Sequence, residues 1–594
     1  TQKQRFLCGF CFLLQTPPPH THKHTHTLSE TGPHNIIYES LSMFKNGLTH
    51  SDVRIGHSLN SQEETFVKTR LPTVQQCLKN LGIACSPDNV PKIALLGSGG
   101  GERAMLGLLG SLDGFKETGL LDCVLYLCGV SGSTWCMASL YQDSDWSTKL
   151  DSVKEKIIQR LKGPAVSWSE ILLKLMTYYN EKELFSLTDV WAALVVTAFV
   201  KEIDEGKLSQ QQGHNDKDPF PIYTVIDKQC RQRLHERGVF VEVSPYEAGY
   251  SLTGAFVDTS MFGSQFEEGR KIKDQPEIDM LYLQGLCGSC LADGEFIIEL
   301  LLKKIIEFFH YAAQEKVECG KTSKEGTASV DVGFQILVSL VEMHFSVLKE
   351  KDLSGHQTTI RTKLKELTGD ESWLVKMPNK TDDNFINMKQ FTLEVLECLK
   401  TLFSWWNDVL DAIMKCVMEW IWGREYNFLY KMKGVRAAIL KSETRDYEDA
   451  GIALNSPYIS VLRQERGVDL IISLDFGYPF ETVTYASEIC GDLDIPFPEV
   501  DVSSEDPKKP KDFYVFEGKG EEPTVIHIPL FNTVNCGDKV EEWSKKYAVF
   551  QPPYSAELID PLLGVAAINI TNNKEKLVQE IQKIINRKHR QKDN

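Results

Sequence analysis

The hydrophobic pattern between residues 92 and 141 predicts an alternation of strands and helices. An apolar run at 93–96 leads into a glycine loop at 97–101, and residues 103–112 carry apolar side chains at helical spacing. A second apolar run at 123–128 leads into the turn Gly129-Val130-Ser131-Gly132-Ser133, which opens another helix. This order predicts a parallel βαβ unit with both turns at one edge of the sheet. Because ligands of α/β sheets bind beyond the carboxyl ends of the strands, the two turns predict one site.

The pattern outside this unit predicts an α/β fold. Helical spacing is found at 66–81 and through most of 146–205, and strand-like runs lie at 223–226, 239–243 and 468–475. We therefore predict a central, mostly parallel sheet flanked by helices. Residues 296–423 are the least sheet-like part of the chain, and they predict a largely helical insertion or cap.

One segment of that insertion is rich in aromatic residues. The apolar positions that recur at helical spacing are Phe403, Trp406, Leu410, Ile413, Val417 and Ile421, with Trp405, Trp420 and Trp422 beside them. A buried core helix is the commoner origin of such a stripe. The alternative is a cap whose aromatic face meets lipid. Trp405 and Trp422 lie off the centre of the stripe, so we expect these two side chains to be exposed.

Composition and charge narrow the classes of partner. The 594 residues carry a net charge of −17, which argues against a nucleic-acid binder. The 15 cysteines have no regular spacing, which indicates reduced thiols rather than a disulfide framework. No apolar run is long enough for a transmembrane helix. Residues 1–43 do not fit the predicted fold, and we expect them to be a disordered leader or a gene-model extension.

Ser131 is the candidate nucleophile, because it stands where a strand turns sharply into a helix. The match to the G-x-S-x-G elbow is imperfect, since Ser133 replaces the last glycine. The alternative is that Ser131 only caps the following helix. In the neighbouring loop, the backbone N–H groups of Gly100 and Gly101 lead into a helix N-terminus, where they could stabilise an oxyanion.

Two further features bear on the glycine loop. Residues 99–104 fit the dinucleotide fingerprint G-x-G-x-x-A, but Asp122 lies at the start of the second strand rather than at its end. The nucleotide interpretation is therefore rejected. Arg103 is a cation in the first turn of a helix, where it opposes the helix dipole. This position predicts an anionic ligand such as a phosphate, which arginine binds with two parallel hydrogen bonds.

These motifs together resemble those of the cytosolic phospholipase A2 (group IV) family, which is close to the patatin-like lipases. The resemblance rests on Gly97–Ala104, on Leu121–Cys123 through Gly129–Trp135, on Tyr447–Gly451, and on Arg466–Asp475. It covers most of the chain beyond about residue 70. Within the family the chain is most similar to the gamma type, which has no C2 domain.

The resemblance implies a patatin-like core and a set of site residues. Residues 44–594 would form the catalytic domain, with the helical insertion at about 296–423. The implied roles are nucleophile for Ser131, its partner in a Ser–Asp dyad for Asp449, oxyanion donors for Gly100 and Gly101, and substrate binding for Arg103 and Arg466. An acyl-enzyme would form and then be hydrolysed.

The resemblance also implies a substrate class and a location. It predicts hydrolysis of the fatty-acyl ester of glycerophospholipids, with lysophospholipids as further substrates or acyl acceptors. The expected partner is a phospholipid membrane surface, not a nucleic acid. We expect a cytosolic, calcium-independent enzyme that associates peripherally with intracellular membranes and needs neither metal nor cofactor.

Two alternatives remain open from the sequence. One is a serine esterase with a Ser131–Asp449–His527 triad, because Ser, Asp and His follow one another in the required order. His527 lies in the strand-like run 524–528, however, where a hydrogen-bonded core histidine is the more frequent finding. The other alternative is a catalytically silent lipid-binding protein.

Overall fold

The computed structural model describes residues 51–594 apart from 214–216, 234–238, 290–293, 319–323, 349–351, 371, 373–383, 404–407, 436, 550 and 594. The predicted leader at 1–43 lies outside the described residues. Residues Ser51–Asn594 form one unit of the chain.

A mixed sheet forms the centre of this unit. The described strands are β1 (Val53–Ile55), β2 (Ile93–Gly97), β3 (Tyr126–Gly129), β4 (Phe220–Asp227), β5 (Phe240–Val243), β6 (Glu247–Tyr250), β7 (Ala255–Asp258), β8 (Gln265–Glu267), β9 (Arg270–Lys273), β10 (Arg424–Tyr426), β11 (Thr444–Asp449), β12 (Leu470–Asp475), β13 (Tyr514–Phe516) and β14 (Thr524–Pro529). Twelve of these strands form the central sheet, whose main path runs β1-β7-β6-β5-β4-β3-β2-β12-β14-β13, with β11 pairing with β4 and β10 with β11. Strands β8 and β9 form a separate two-stranded sheet.

The middle of the sheet is parallel, and its borders are antiparallel. Strands β4, β3, β2, β12 and β14 run in the same direction. The strands that continue the sheet beyond β4 and beyond β14 are antiparallel. Every residue of β2, β3 and β12 is buried, as expected for parallel strands covered on both faces. The prediction of a mostly parallel central sheet is confirmed for this middle part.

Helices cover the sheet. The described helices are α1 (Ser61–Asn80), α2 (Glu102–Glu117), α3 (Gly132–Tyr141), α4 (Leu150–Lys162), α5 (Trp168–Glu181), α6 (Leu187–Trp191), α7 (Thr197–Val200), α8 (Met280–Cys287), α9 (Gly294–Glu318), α10 (Lys324–Leu348), α11 (Ser354–Thr368), α12 (Asn384–Leu402), α13 (Asp408–Glu419), α14 (Ala437–Leu440), α15 (Tyr458–Val461), α16 (Glu481–Asp492), α17 (Val540–Lys546), α18 (Ala556–Asn572) and α19 (Lys574–Asp593). Helix α3 is buried on all sides, which explains why its sequence has no polar face. Helices α2 and α18 pack closely, since a Cβ on Gly110 would lie 2.5 Å from the carbonyl oxygen of Leu563.

The region between β9 and β10 contains only helices among its described elements, as its sequence pattern predicts. Leu410, Ile413 and Val417 of the aromatic segment are buried, which agrees with a core helix. Trp405 and Trp406 lie outside the described residues. The expected exposure of Trp422 is wrong: its side chain is 1% exposed and packs edge-on against other tryptophan rings. In the described part of the chain, no helix has both the length and the apolar character needed to cross a membrane.

Candidate active site

Two turns of the same conformation face each other at the carboxyl edge of the sheet. Strands β2 and β3 are parallel neighbours, with Gly97 opposite Gly129. Gly101 (φ 60°, ψ −140°) precedes α2, and Ser131 (φ 54°, ψ −130°) precedes α3. This backbone conformation is strained for a residue with a side chain, and such strain at a turn is a feature of functional positions. Ser131 therefore stands on a sharp elbow, as predicted.

The side chain of Ser131 does not cap the helix that follows it. Its hydroxyl makes no capping hydrogen bond to the first turn of α3, so helix capping does not explain this serine. Ser133, which breaks the elbow motif, has a different task. Its Oγ donates a 2.6 Å hydrogen bond to the carbonyl oxygen of Ser98 and so ties the elbow to the glycine loop.

The two turns are in direct contact. A Cβ atom on Gly132 would overlap the carbonyl oxygen of Gly101, and a Cβ on Gly99 would lie 2.9 Å from the Cβ of Ser131. Glycine is required at 132 because its Cα lies against the Gly101 backbone, and at 99 because its Cα lies against the Ser131 side chain. The contact brings the loop that carries Gly100 and Gly101 alongside Ser131, which is 4% exposed.

Asp449 reaches this place from a distant part of the chain. Strand β3 pairs with one edge of β4 as far as Gly129–Tyr223. Strand β5 occupies the other edge of β4, so β11 must continue the first edge, where Asp449 pairs with Val225. Val225 lies two residues beyond Tyr223 along β4, just as Ser131 lies two residues beyond Gly129. Strand β11 therefore replaces β3 as the neighbour of β4 at the level of Ser131. The sequence suggested a loop for Asp449, whereas it is the last residue of β11.

Side-chain contacts support this placement. Asp449 is fully buried, and its Oδ1 accepts a 2.7 Å hydrogen bond from the Gly451 N–H. Burial and the nearby Asp449 carboxyl raise the pKa of the Cys287 thiol, although its hydrogen bond with Thr134 partly opposes the shift. Thr134 Oγ1 in turn donates to the carbonyl oxygen of Ser131 at 2.5 Å.

Arg103 lies over the glycine loop. Its Nη1 donates to the carbonyl oxygen of Tyr547 at 3.1 Å, and its Nε is 3.6 Å from the Cβ position of Gly100. Nε has no hydrogen-bond partner among the described residues. The side chain is 8% exposed, and burial lowers its pKa. A cation with an unpaired donor beside the glycine loop fits the predicted binding of an anion.

Arg466 does not share this position. It precedes β12 and accepts, through its backbone oxygen, a hydrogen bond from Lys92, which precedes β2. It therefore lies at the amino edge of the parallel strands, opposite the glycine loops. Its guanidinium is 1% exposed and binds two buried carboxylates, those of Glu63 and Glu242.

The predicted substrate-binding role of Arg466 is not supported by this geometry. The five N–H donors of its guanidinium are all used, four by the two carboxylates and one by the carbonyl oxygen of Ser460. Burial alone would raise the pKa of Glu242, but Arg466 and Arg463 outweigh it and hold that pKa at about 2. In this position Arg466 joins α1 and β5 to the segment that precedes β12.

We expect Arg466→Lys to destabilise the protein by about 3 kcal/mol, because breaking a buried, hydrogen-bonded ion pair leaves charges without partners. Chemical denaturation should measure this loss, while kcat per folded molecule stays within about threefold. Arg424→Lys is the control, since the Arg424–Asp446 pair is partly exposed and such pairs contribute little. A loss of turnover by Arg466→Lys at unchanged stability would restore the substrate-binding role.

His527 lies apart from Ser131. In the sheet, β14 stands three strand positions from β3, which corresponds to about 14 Å at the usual strand spacing. The histidine is fully buried, its Nε2 donates to the carbonyl oxygen of Pro479, and the same nitrogen is 3.8 Å from Asp475 Oδ2. Burial lowers the pKa of His527. The triad alternative therefore lacks the required geometry, and His527 is a core histidine.

Glu102 is a buried acid that the sequence analysis missed. It follows Gly101, is 4% exposed, and its Oε2 accepts a 2.7 Å hydrogen bond from the Tyr554 N–H. Burial raises its pKa to about 7, although that hydrogen bond and Lys201 partly oppose the shift. The Glu102–Tyr554 and Arg103–Tyr547 hydrogen bonds hold Tyr547 and Tyr554 beside the glycine loop. Nearby, the Val549 carbonyl oxygen lies 3.5 Å from the Cβ position of Gly101. An acid in the first turn after the glycine loop was the available signal.

We expect Glu102→Gln to stabilise the protein at pH 8 but not at pH 4.5. The folded state keeps the Glu102 proton up to a pKa of about 7, against an ordinary value of 4.5, so the stability contributed by this group falls as the pH rises between these values. Above pH 7 the full penalty of about 3 kcal/mol applies. Glutamine avoids the charge and keeps an acceptor for Tyr554.

Denaturant unfolding at pH 4.5 and pH 8 measures this effect. The exposed Glu64→Gln substitution is the control and should change the unfolding free energy equally little at both pH values. An equal effect of Glu102→Gln at the two pH values would show that Glu102 has an ordinary pKa.

The described residues contain no group of three or more His, Cys, Asp or Glu side chains that could hold a metal ion. The site itself offers a hydroxyl on an elbow, a buried carboxyl at the same level of the sheet, a glycine loop and an arginine.

Comparison with known proteins agrees with this geometry. The lysophospholipase catalytic domain family matches residues 93–301, which include both glycine turns. Mouse cytosolic phospholipase A2 gamma is 34% identical over 89% of this chain and 91% of its own length. The human gamma protein is 32% identical over 90% of this chain and 96% of its own. The human GIVD cytosolic phospholipase A2 structure has the same fold, with a TM-score of 0.64 at 21% identity, covering 91% of this chain and 69% of that one.

The fold and the matched domain define a lipid ester hydrolase with phospholipase activity. The chain belongs to the cytosolic phospholipase A2 family. The predictions of the family and of the fold class are thereby confirmed, whereas the roles of individual site residues stay predictions.

Proposed function

We propose that the protein hydrolyses the fatty-acyl ester of glycerophospholipids through a Ser131–Asp449 dyad. Ser131 Oγ attacks the ester carbonyl carbon while its proton passes to the Asp449 carboxylate. The C–O bond to the glycerol oxygen then breaks, and Asp449 returns the proton to that oxygen. An acyl-enzyme on Ser131 and a lysophospholipid result.

The second half of the reaction repeats the first with water. Asp449 takes a proton from the water, the hydroxide attacks the acyl carbonyl carbon, and the fatty acid leaves as Ser131 Oγ recovers its proton. A lysophospholipid acceptor in place of water gives acyl transfer, and a lysophospholipid in the first step gives its complete deacylation.

One observation carries this proposal. Strand β11 follows β3 along the same edge of β4. The buried Asp449 carboxyl therefore lies at the level at which Ser131 leaves the sheet. A general base must be within hydrogen-bond reach of the proton that it takes, and the position of Asp449 at the level of Ser131 supports this role.

The glycine loop and Arg103 have supporting roles in the proposal. The N–H groups of Gly100 and Gly101, at the N-terminus of α2, stabilise the oxyanion that forms on the carbonyl oxygen. Arg103 binds the lipid phosphate through its unpaired Nε donor and exchanges its hydrogen bond to Tyr547 for one to the phosphate. Substrate binding is not proposed for Arg466.

We also propose a cytosolic enzyme that acts on membranes from their surface and without calcium. The mouse and human gamma relatives are named as cytosolic phospholipases, and phospholipid substrates are held in membranes. Each step proposed above uses protein groups alone, so neither calcium nor a cofactor has a role to fill.

Vesicles of phosphatidylcholine with a labelled sn-2 acyl chain test the proposal. We expect fatty-acid release at equal rates in chelator and in micromolar calcium, and an acyl adduct on the peptide that contains Ser131. Vesicle binding without any release would favour a silent lipid-binding protein. A requirement for calcium would reject the calcium-independent mechanism, and an adduct on another residue would reject the dyad.

A further inference from the structure

Asn455 lies where three loops of the catalytic edge meet. The loops are the one after β2, the one after β11 and the one after β12, and each presents a glycine to the Asn455 carboxamide. A Cβ on Gly99 would collide with Oδ1, a Cβ on Gly451 would lie 3.0 Å from Oδ1, and a Cβ on Gly477 would lie 2.9 Å from Nδ2. The Asn455 carboxamide is therefore a common packing partner of the three loops.

Asn455 binds both backbone groups of Gly99. The backbone carbonyl oxygen of Asn455 accepts a 3.1 Å hydrogen bond from the Gly99 N–H. The side-chain Nδ2 of Asn455 donates to the Gly99 carbonyl oxygen at 3.3 Å. On its other side, Gly99 packs against Ser131. Gly99 is therefore enclosed between Asn455 and the elbow.

The second of these bonds has a consequence for the neighbouring residue. The carbonyl of Gly99 and the N–H of Gly100 belong to one planar trans peptide, so they point in opposite directions. A donor that holds the Gly99 carbonyl oxygen therefore sets the direction of the Gly100 N–H. Gly100 has a φ of 154°, which leaves this peptide without the restraint that a side chain would give.

Two other hydrogen bonds of the loop act one peptide earlier. Ser133 Oγ donates to the carbonyl oxygen of Ser98 at 2.6 Å, and Ser98 Oγ accepts from the Phe476 N–H at 2.7 Å. These bonds fix Ser98 but not the peptide between Gly99 and Gly100. The Ser98 hydroxyl also lies 3.4 Å from the Gly99 carbonyl oxygen, but it is equally far from Asp475 Oδ1 and has one hydrogen for the two acceptors. The 3.3 Å bond from Asn455 Nδ2 restrains the same peptide from outside the glycine loop.

Asn455 also connects the loop to Asp449. A tight turn joins the two residues, with hydrogen bonds from the N–H groups of Ala453 and Leu454 to the carbonyl oxygen of Ala450. The Asp449 carboxylate caps the start of the same turn through Gly451. This turn thus carries the Asp449 carboxylate at its beginning and, at its end, the Asn455 side chain that binds Gly99.

We propose that Asn455 is a positioning residue that directs the Gly100 N–H toward the oxyanion and holds it at a fixed position relative to Asp449. This inference rests on the proposed function, because it assigns Gly100 to oxyanion stabilisation. It adds a residue that acts through Gly99 rather than by touching the substrate.

Two variants of Asn455 test the inference. Asn455→Ala removes the Nδ2 donor, and Asn455→Asp keeps the shape of the side chain but places a carboxylate against the Gly99 carbonyl oxygen. We expect kcat to fall 10–100-fold for alanine and further for aspartate, with KM within about threefold, because losing one oxyanion donor outright costs about 10²–10³ in kcat. Asn427→Ala is the matched control, since Asn427 is buried and its Nδ2 also donates to backbone carbonyls, those of Ile439 and Ser442.

A trifluoromethyl ketone provides a readout that a purely structural role would not move. Its hemiketal with the serine hydroxyl carries an oxyanion, so its inhibition constant should rise in parallel with the loss of kcat/KM for both Asn455 variants. It should stay unchanged for Asn427→Ala, whose effect is confined to the melting temperature.

The outcomes separate this inference from the proposed function. Wild-type kcat in both Asn455 variants, a loss confined to KM, or an unchanged ketone inhibition constant would each overturn the positioning role while leaving the Ser131–Asp449 dyad intact. Full activity of Ser131→Ala would instead overturn the proposed function and the inference with it.

Discussion

We expect Ser131→Ala to lose phospholipid hydrolysis by at least about three orders of magnitude and to resist labelling by a fluorophosphonate. Removing the nucleophile of a catalytic unit leaves only binding and oxyanion stabilisation. The melting temperature should be nearly unchanged for two reasons. Alanine meets the same positive φ as serine at this position, and the serine hydroxyl does not cap α3.

The labelling experiment has a control on α3, the helix that follows Ser131. Ser139 is 4% exposed, and its Oγ accepts a hydrogen bond from Arg160 at 2.6 Å, so Ser139→Ala removes an equally buried hydroxyl away from the elbow. Gel fluorescence after fluorophosphonate treatment should show Ser139→Ala labelled at nearly the wild-type rate and Ser131→Ala unlabelled. Wild-type labelling of Ser131→Ala would show that another residue is the nucleophile.

The second large effect distinguishes a dyad from a triad. We expect Asp449→Asn to eliminate turnover, because an amide cannot take the proton of Ser131 Oγ, while its Oδ1 still accepts from the Gly451 N–H. We expect His527→Gln to keep activity within about tenfold, a barrier change of about 1.4 kcal/mol, because His527 contacts Pro479 and Asp475 rather than the elbow.

Steady-state rates on the same vesicles, corrected for the folded fraction, make this comparison. Melting curves of both variants supply the correction, which matters because His527 is fully buried. If His527→Gln were as inactive as Asp449→Asn while remaining folded, a triad mechanism would replace the dyad.

Local features of the sequence determined the elbow and the glycine loop. The apolar runs before Gly97 and Gly129 are short, and each ends in residues that only a tight turn accommodates, so the strand-turn-helix units follow from the pattern alone. The parallel pairing of β2 and β3 also follows, because a helical crossover between two strands leaves little choice of direction. For this reason Ser131, Gly100 and Gly101 were located as candidates without a structure.

Contacts between distant segments determine where the two arginines lie and which groups they bind. Arg103 and Arg466 resemble family residues equally well in the sequence, yet one lies over the glycine loop and the other lies at the opposite edge of the sheet. The carboxylates that neutralise Arg466 are 403 and 224 residues away along the chain. No local pattern identifies such partners, because burial of a charge depends on what the folded chain brings to it.

The tertiary structure also determines the position of Asp449, the contacts of Asn455 and the burial of Trp422. Asp449 is an ordinary turn aspartate until β11 takes the place of β3 on β4, and Asn455 has no signal apart from the loops that meet around it. Trp422 lies off the apolar stripe of its helix pattern, but other tryptophan rings cover it. Periodicity reports which side chains share one face of an element, whereas packing from neighbouring elements determines which of them are finally removed from water.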